Sequence, residues 1–167
     1  EGAEETGFFR IVAVGDPAEA FYGLGEYFDS PHHRGRARDM HFEASGDTES
    51  GYNEAHVPIP LVIGTTGWGL FVADDHPMRF EVATAVDDEV EVTVGTGVMS
   101  AQGLRFHVYT ATHPLDVTKR YYETTGFPRL PAPWALGPIF WRDETTGQAE
   151  VLADMQTMRD LDIAASA

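Results

Sequence analysis

The sequence predicts a mostly β chain, an antiparallel β-sandwich followed by one short strand, helix and strand. Three observations predict it. Short apolar or alternating runs, separated by turn residues, occupy residues 8–109. A helical stretch and three closely spaced prolines then interrupt the β pattern, and an apolar run followed by one helical stripe closes the chain. With 43% hydrophobic and 11% aromatic residues over 167 positions, the chain has the material to bury a core.

The expected strands are 8–14, 59–63, 68–72, 79–83, 89–94 and 105–109. Each is bounded by residues that turns require: Gly15-Asp16-Pro17, Gly64-Thr65-Thr66-Gly67, the 74–77 segment, Asp87-Asp88 and the 95–97 segment. Glu89-Val90-Glu91-Val92-Thr93-Val94 alternates cleanly, so one face packs inward and the other meets water. Residues 29–53 are polar with no sustained period and read as a long loop, a kind of segment that is often functional.

Thr112-His113-Pro114 supplies a helix start with proline in the first turn, Asp116 favours the amino end, and Gly126 and Pro128 end the helix. Pro128, Pro131 and Pro133 make a stiff connection and the best boundary in the chain. The domain division expected is 1–128, a linker at 129–134, and 135–167. In the last segment 135–141 suits a strand buried on both faces. Val151, Leu152, Met155, Met158 and Leu161 follow a helical period, and 163–167 suits a second strand. Strand, helix and strand at this spacing form a parallel crossover unit.

Charge and composition exclude several classes. Eleven basic residues stand against 27 acidic ones, a net charge of -16 that repels phosphate backbones and anionic lipid headgroups, so neither nucleic acid nor a membrane surface is an expected partner. With no cysteine, disulfides, thiolate metal sites and cysteine nucleophiles are ruled out. No run has the length of a membrane span, and residues 1–6 are acidic rather than signal-like; these features leave the location open, with cytoplasmic slightly favoured over secreted.

Three segments, in order, resemble glycoside hydrolase family 31. They are Phe21-Tyr22-Gly23-Leu24-Gly25-Glu26; His56-Val57-Pro58-Ile59-Pro60 with Gly67-Trp68-Gly69-Leu70-Phe71-Val72; and Pro114-Leu115-Asp116-Val117 with Tyr121, Thr125-Gly126, Pro128, Leu130-Pro131, Pro133-Trp134 and Leu136-Gly137. The resemblance implies a galactose-mutarotase-like sandwich packed on a (β/α)8 barrel, of which these residues hold the sandwich and the first β/α unit. Catalysis would take place at the carboxyl ends of the barrel strands. It also implies a retaining α-glycosidase, which needs two carboxyl groups ~5–5.5 Å apart, one as nucleophile and one as acid then base. The family's two catalytic aspartates fall on later barrel strands, so no catalytic residue and no cofactor is assigned here. The implied partners are an α-glycoside or oligosaccharide and the rest of the barrel; a homo-oligomer is compatible with this reading. The rival is a non-catalytic carbohydrate-binding or scaffold sandwich.

Asp47 sits thirteen residues before Pro60, the interval at which the family places a substrate-binding aspartate on a sandwich loop. A carboxylate there accepts hydrogen bonds from neighbouring sugar hydroxyls; the alternative is an Asx-turn in Ser45-Gly46-Asp47-Thr48. Trp141, Arg142, Asp143 and Glu144 follow the expected first barrel strand, where loop side chains face the active site and could stack on or hydrogen-bond a sugar; the alternative is a solvated loop. Glu26 is expected to hydrogen-bond a loop backbone, Trp68 to pack between the sheets and Trp134 to seal the domain junction. His32, His33 and His41 match no ligand spacing and are expected to be exposed loop residues. Arg34, Arg36 and Arg38 are expected to pair with acidic groups of another domain or subunit.

Overall fold

The computed structural model describes residues 6–27, 29–40, 57–98, 103–140, 144 and 147–164. Among these residues eight strands come first: β1 Thr6–Val14, β2 Phe21–Gly25, β3 Arg36–Met40, β4 Pro58–Gly64, β5 Trp68–Val72, β6 Met78–Val82, β7 Glu89–Val98 and β8 Phe106–Thr110. Two antiparallel sheets result, one in the order β1-β7-β6-β3 and the other in the order β2-β4-β5-β8. Helix α1, Pro114–Thr125, follows β8, and α2 is Gln148–Asp160. The chain divides into two compact units, Glu1–Gly126 and Phe127–Ala167. No helix among the described residues is long and apolar enough to cross a membrane.

Strand alternation builds the core of the first unit. From β7, Val90, Val92 and Val94 are fully buried, while Glu91 faces out to accept from Arg10 of β1 at 2.6 Å. Val90 and Val92 of β7 stand opposite Val82 and Phe80 of β6, and all four join a cluster with Phe21, Val62, Leu70 and Val72 from the second sheet. That cluster is the interior of the sandwich. A smaller one, Leu61, Tyr109 and Val117, lies on the outer face of the second sheet beneath α1.

The approach of α1 depends on Gly69. A Cβ at this position would lie 2.5 Å from Cγ1 of Val117, the fully buried residue of the helix. At the start of α1, Nδ1 of His113 accepts from the Leu115 N–H at 3.2 Å, so the cap is a histidine rather than the usual hydroxyl or carboxamide. At the end, Gly126 at φ 104° donates its N–H to the Tyr122 carbonyl at 2.8 Å.

Two strands depart from the sequence expectation. β2 coincides with the Tyr-Gly-Leu-Gly motif and carries a register shift between Gly23 and Gly25; φ is 101° at Gly23, 61° at Leu24 and 98° at Gly25. β3 lies inside the polar stretch expected to be a loop. Its charged residues alternate like any other strand, with Arg38 and Met40 turned inward, and it pairs in full register with β6.

The second unit also differs. The run expected as a strand over 135–141 begins inside a 3-10 turn, Pro133–Leu136, and residues 137–140 pair with no strand among the described residues. A strand needs a neighbour for its backbone groups, and an apolar composition does not replace one. α2 forms where the period placed it, but Leu152, Met155 and Leu161 stay about half exposed or more. Residues 163 and 164 form no strand.

Candidate functional site

The expected sugar contact, Asp47, and three of the four expected barrel-loop contacts, Trp141, Arg142 and Asp143, lie outside the described residues, as does His41. Glu144 is described and exposed, in the second unit. What the structure defines is the frame from which the Asp47 segment departs. Met40, at the end of β3, is held opposite Met78 of β6, and Pro58, at the start of β4, is held opposite Gly25 of β2. The two flanks therefore belong to different sheets.

A buried polar chain joins those sheets. Asp29 accepts from Nη2 of Arg38 at 2.8 and 3.0 Å and from Arg36. Arg38 is 2% exposed, lies 4.1 Å from the ring centre of Tyr27, and donates its Nε–H to Nδ1 of His33 at 3.1 Å. Because Nδ1 accepts, the ring proton sits on Nε2, which donates to the Gly23 carbonyl at 2.8 Å. The chain runs carboxylate, guanidinium, imidazole, bulge carbonyl. Burial pushes the His33 pKa below its ordinary value of 6.5 and the Arg38 charge adds to the effect, so the ring is neutral as the geometry requires. Burial works in the opposite sense on Asp29, but the hydrogen bonds and charges of Arg38 and Arg36 outweigh it and hold the carboxyl below its usual range.

These contacts correct two expectations. His33 is 1% exposed rather than a loose loop histidine. Arg36 and Arg38 pair within the sandwich rather than with another domain or subunit, and Arg34 donates to the carbonyls of Glu19 at 2.9 Å, Asp87 at 2.7 Å and Pro17.

The structural carboxylate near the second motif is Glu19, which the sequence reading did not single out. It is 3% exposed and accepts from the Thr66 N–H at 2.8 Å, the Thr66 hydroxyl at 2.7 Å, the Trp68 indole N–H at 3.0 Å and the Asp16 N–H at 3.3 Å. Burial raises its pKa, yet those four donors bring it below the ordinary carboxylate range. Trp68 is thereby fixed edge-on to Phe21 with ring centres 6.2 Å apart, packing against the core as expected. Glu26, by contrast, is exposed and engages through its backbone, donating its N–H to Val57 at 3.3 Å. Trp134 is 64% exposed.

Beside the frame runs an open groove of about 690 Å³, lined among others by Met40, Pro58, Asp74, His76 and Tyr121. In the turn that forms its rim, Asp74 Oδ1 accepts from both the backbone N–H of His76 at 2.9 Å and its Nδ1 at 2.7 Å. Those bonds, the backbone one foremost, hold the Asp74 carboxyl below its usual range.

The fold and frame define a two-sheet antiparallel β-sandwich that bears a helix on one outer face, with β3 and β4, the strands flanking the Asp47 segment, in different sheets. Comparison with known proteins then fixes the relationship. No family model matches the chain. It is 30% identical over 132 residues to an α-xylosidase of Lactiplantibacillus pentosus, an alignment covering 79% of this chain and 16% of the relative. It is 25% identical over 150 residues to an isomaltosyltransferase of Sporosarcina globispora, covering 90% of this chain and 14% of the relative. The cycloalternan-degrading enzyme of Trueperella pyogenes, solved with cycloalternan, superposes with a TM-score of 0.80 at 22% identity over 95% of this chain and 22% of that one, a likeness of fold. The relatives are glycoside hydrolase family 31 α-xylosidases and related enzymes of that family, and the partial coverage is consistent with an amino-terminal domain. The chain spans about one sixth of the curated relatives it matches.

Proposed function

We propose that residues 1–167 are the amino-terminal part of a retaining α-glycosidase, with the sandwich at 1–128, the linker at 129–134 and the opening of a catalytic (β/α)8 barrel at 135–167. The observation that carries this reading is the 30% identity to an α-xylosidase, which runs through most of the chain. Substrate chemistry follows from the relatives, which act on α-xylosides and isomaltosyl groups by their names. An α-linked xyloside or glucoside is the substrate class proposed here.

In this reading the nucleophile and the acid/base come from barrel strands beyond residue 167 and act ~5–5.5 Å apart across the scissile bond. The sandwich contributes binding. Asp47 accepts hydrogen bonds from hydroxyls of the bound sugar, and Trp141, Arg142, Asp143 and Glu144 are proposed as further substrate contacts. The frame supports this role for Asp47: both flanks of its segment are strand-paired, and the buried Asp29, Arg38 and His33 chain ties their two sheets together.

The test is an assay of p-nitrophenyl α-xyloside and α-glucoside with the full-length polypeptide and with residues 1–167 alone. Turnover is expected for the former and none for the latter. Asp47→Ala is expected to lower kcat/KM by ten-fold or more, the size of one charge-assisted hydrogen bond to substrate, with an unchanged melting temperature. Hydrolysis by residues 1–167 alone, or wild-type kinetics in the Asp47 variant, overturns the corresponding assignment.

A further inference from the structure

Among the described residues the sandwich has four edge strands, β1 and β3 in one sheet and β2 and β8 in the other. Unpaired edges invite pairing with another strand, and proteins blunt them with charge, proline or bulges. Three of the four are blunted. β3 carries Arg36, Arg38 and Asp39; β2 is bent by its bulge; β1 carries Arg10 and shifts register between Gly7 and Phe9. β8, with the sequence Phe-His-Val-Tyr-Thr, has no carboxylate, lysine, arginine, proline or bulge.

Register shows which backbone groups of β8 are free. The Ala73 N–H donates to Arg105, and the Ala111 N–H to Gly67. In an antiparallel ladder the bonded pairs alternate, so His107 and Tyr109 bond toward β5, while the N–H and C=O of Phe106, Val108 and Thr110 point to the open side. Two of these three also misplace their side chains. Val108 stands opposite Leu70 and Phe106 opposite Val72, on the face that forms the interior of the sandwich. Leu70 and Val72 are 1% and 0% exposed; Phe106 and Val108 are 48% and 62% exposed. An inward-facing apolar pair at an unguarded edge is half of a layer.

We propose that β8 is a strand-acceptor edge, and that its occupant is an extended segment of the same polypeptide from outside residues 1–167. That segment pairs its backbone with Phe106, Val108 and Thr110 and lays alternate apolar side chains over Phe106 and Val108. Two observations select this occupant over a second copy. The relatives carry more than four fifths of their length outside the matched segment, and a tethered strand meets its edge at high effective concentration. Two copies would each bring a net charge of -16 to the contact. The source of the strand rests on the family reading above; the vacancy at β8 does not.

The test is amide hydrogen exchange of the full-length polypeptide at two concentrations a hundred-fold apart, together with the α-glycoside assay on the same sample. The amides of Phe106, Val108 and Thr110 are expected to exchange at least a hundred-fold more slowly than unstructured chain at both concentrations, and Val108→Asp to lower the melting temperature by several degrees. Exchange at the unstructured rate, or protection only in the concentrated sample, overturns the proposal. Protection without turnover of any α-glycoside supports the strand while removing the enzymatic reading, so the two failures are separable.

Discussion

At the scale of single residues, the informative positions are buried polar ones. Glu19 gathers four donors from three places in the chain and ties Asp16, Thr66 and Trp68 together. Glu19→Gln keeps the shape but loses the charge and turns one acceptor oxygen into a donor facing other donors; it should cost about 1–3 kcal/mol, read from denaturant midpoints followed by Trp68 fluorescence. His33 sets a pH dependence. Its pKa is lowered on folding, so the unfolded chain binds the proton more readily; stability is complete above about pH 6.5 and declines as pH falls below it. Asp29, also lowered, adds a further loss at pH values below the ordinary carboxylate range. Melting temperature should therefore fall between pH 7 and pH 5, and His33→Gln, which does not titrate, should flatten that slope. Neither residue was legible as a structural anchor. Glu19 lies among turn residues with no motif around it, and His33 reads as one of several loop histidines until its partners, ten and five residues away, are known.

At the scale of elements, glycine positions decide which surfaces meet. Gly69 marks where α1 touches the second sheet, and the Gly-Trp-Gly segment makes sense in these terms: Trp68 turns inward to Glu19 and Phe21, while Gly69 leaves room outward for Val117. Gly69→Ala should destabilise by about 1–3 kcal/mol through overpacking. In the background of Val117→Ala the same substitution should cost less, a coupling that a double-mutant cycle on thermal stability would measure; equal costs in both backgrounds would show that the helix is not held by this contact. Strands with apolar alternation were legible, as was α1 with its proline start and glycine end. β3 was not, because one of its two inward positions is filled by an arginine whose charge is met by Asp29, and a hydropathy pattern does not register a buried ion pair as an inward residue. The 135–141 run failed for the opposite reason: its composition suits a buried strand, but strand structure depends on a neighbour.

For the molecule as a whole, the two-sheet architecture and the family relationship were both readable from the order of short motifs, while the expected site residues were readable only through that relationship. Most of the sandwich closes over long stretches of chain; the Arg10 and Glu91 pair spans 81 residues. The Asp29, Arg38, His33 and Gly23 chain is different. Its links span only nine, five and ten residues, yet they fasten β2 of one sheet to β3 of the other. Chain closure costs grow with the length enclosed, so this crossing costs little configurational entropy, and it can form before the distant strands arrive. Alongside the local β4-β5 and β6-β7 pairings, residues 23–38 make a local corner around which the remote strand pairs, slower to form for their separation, can be laid down.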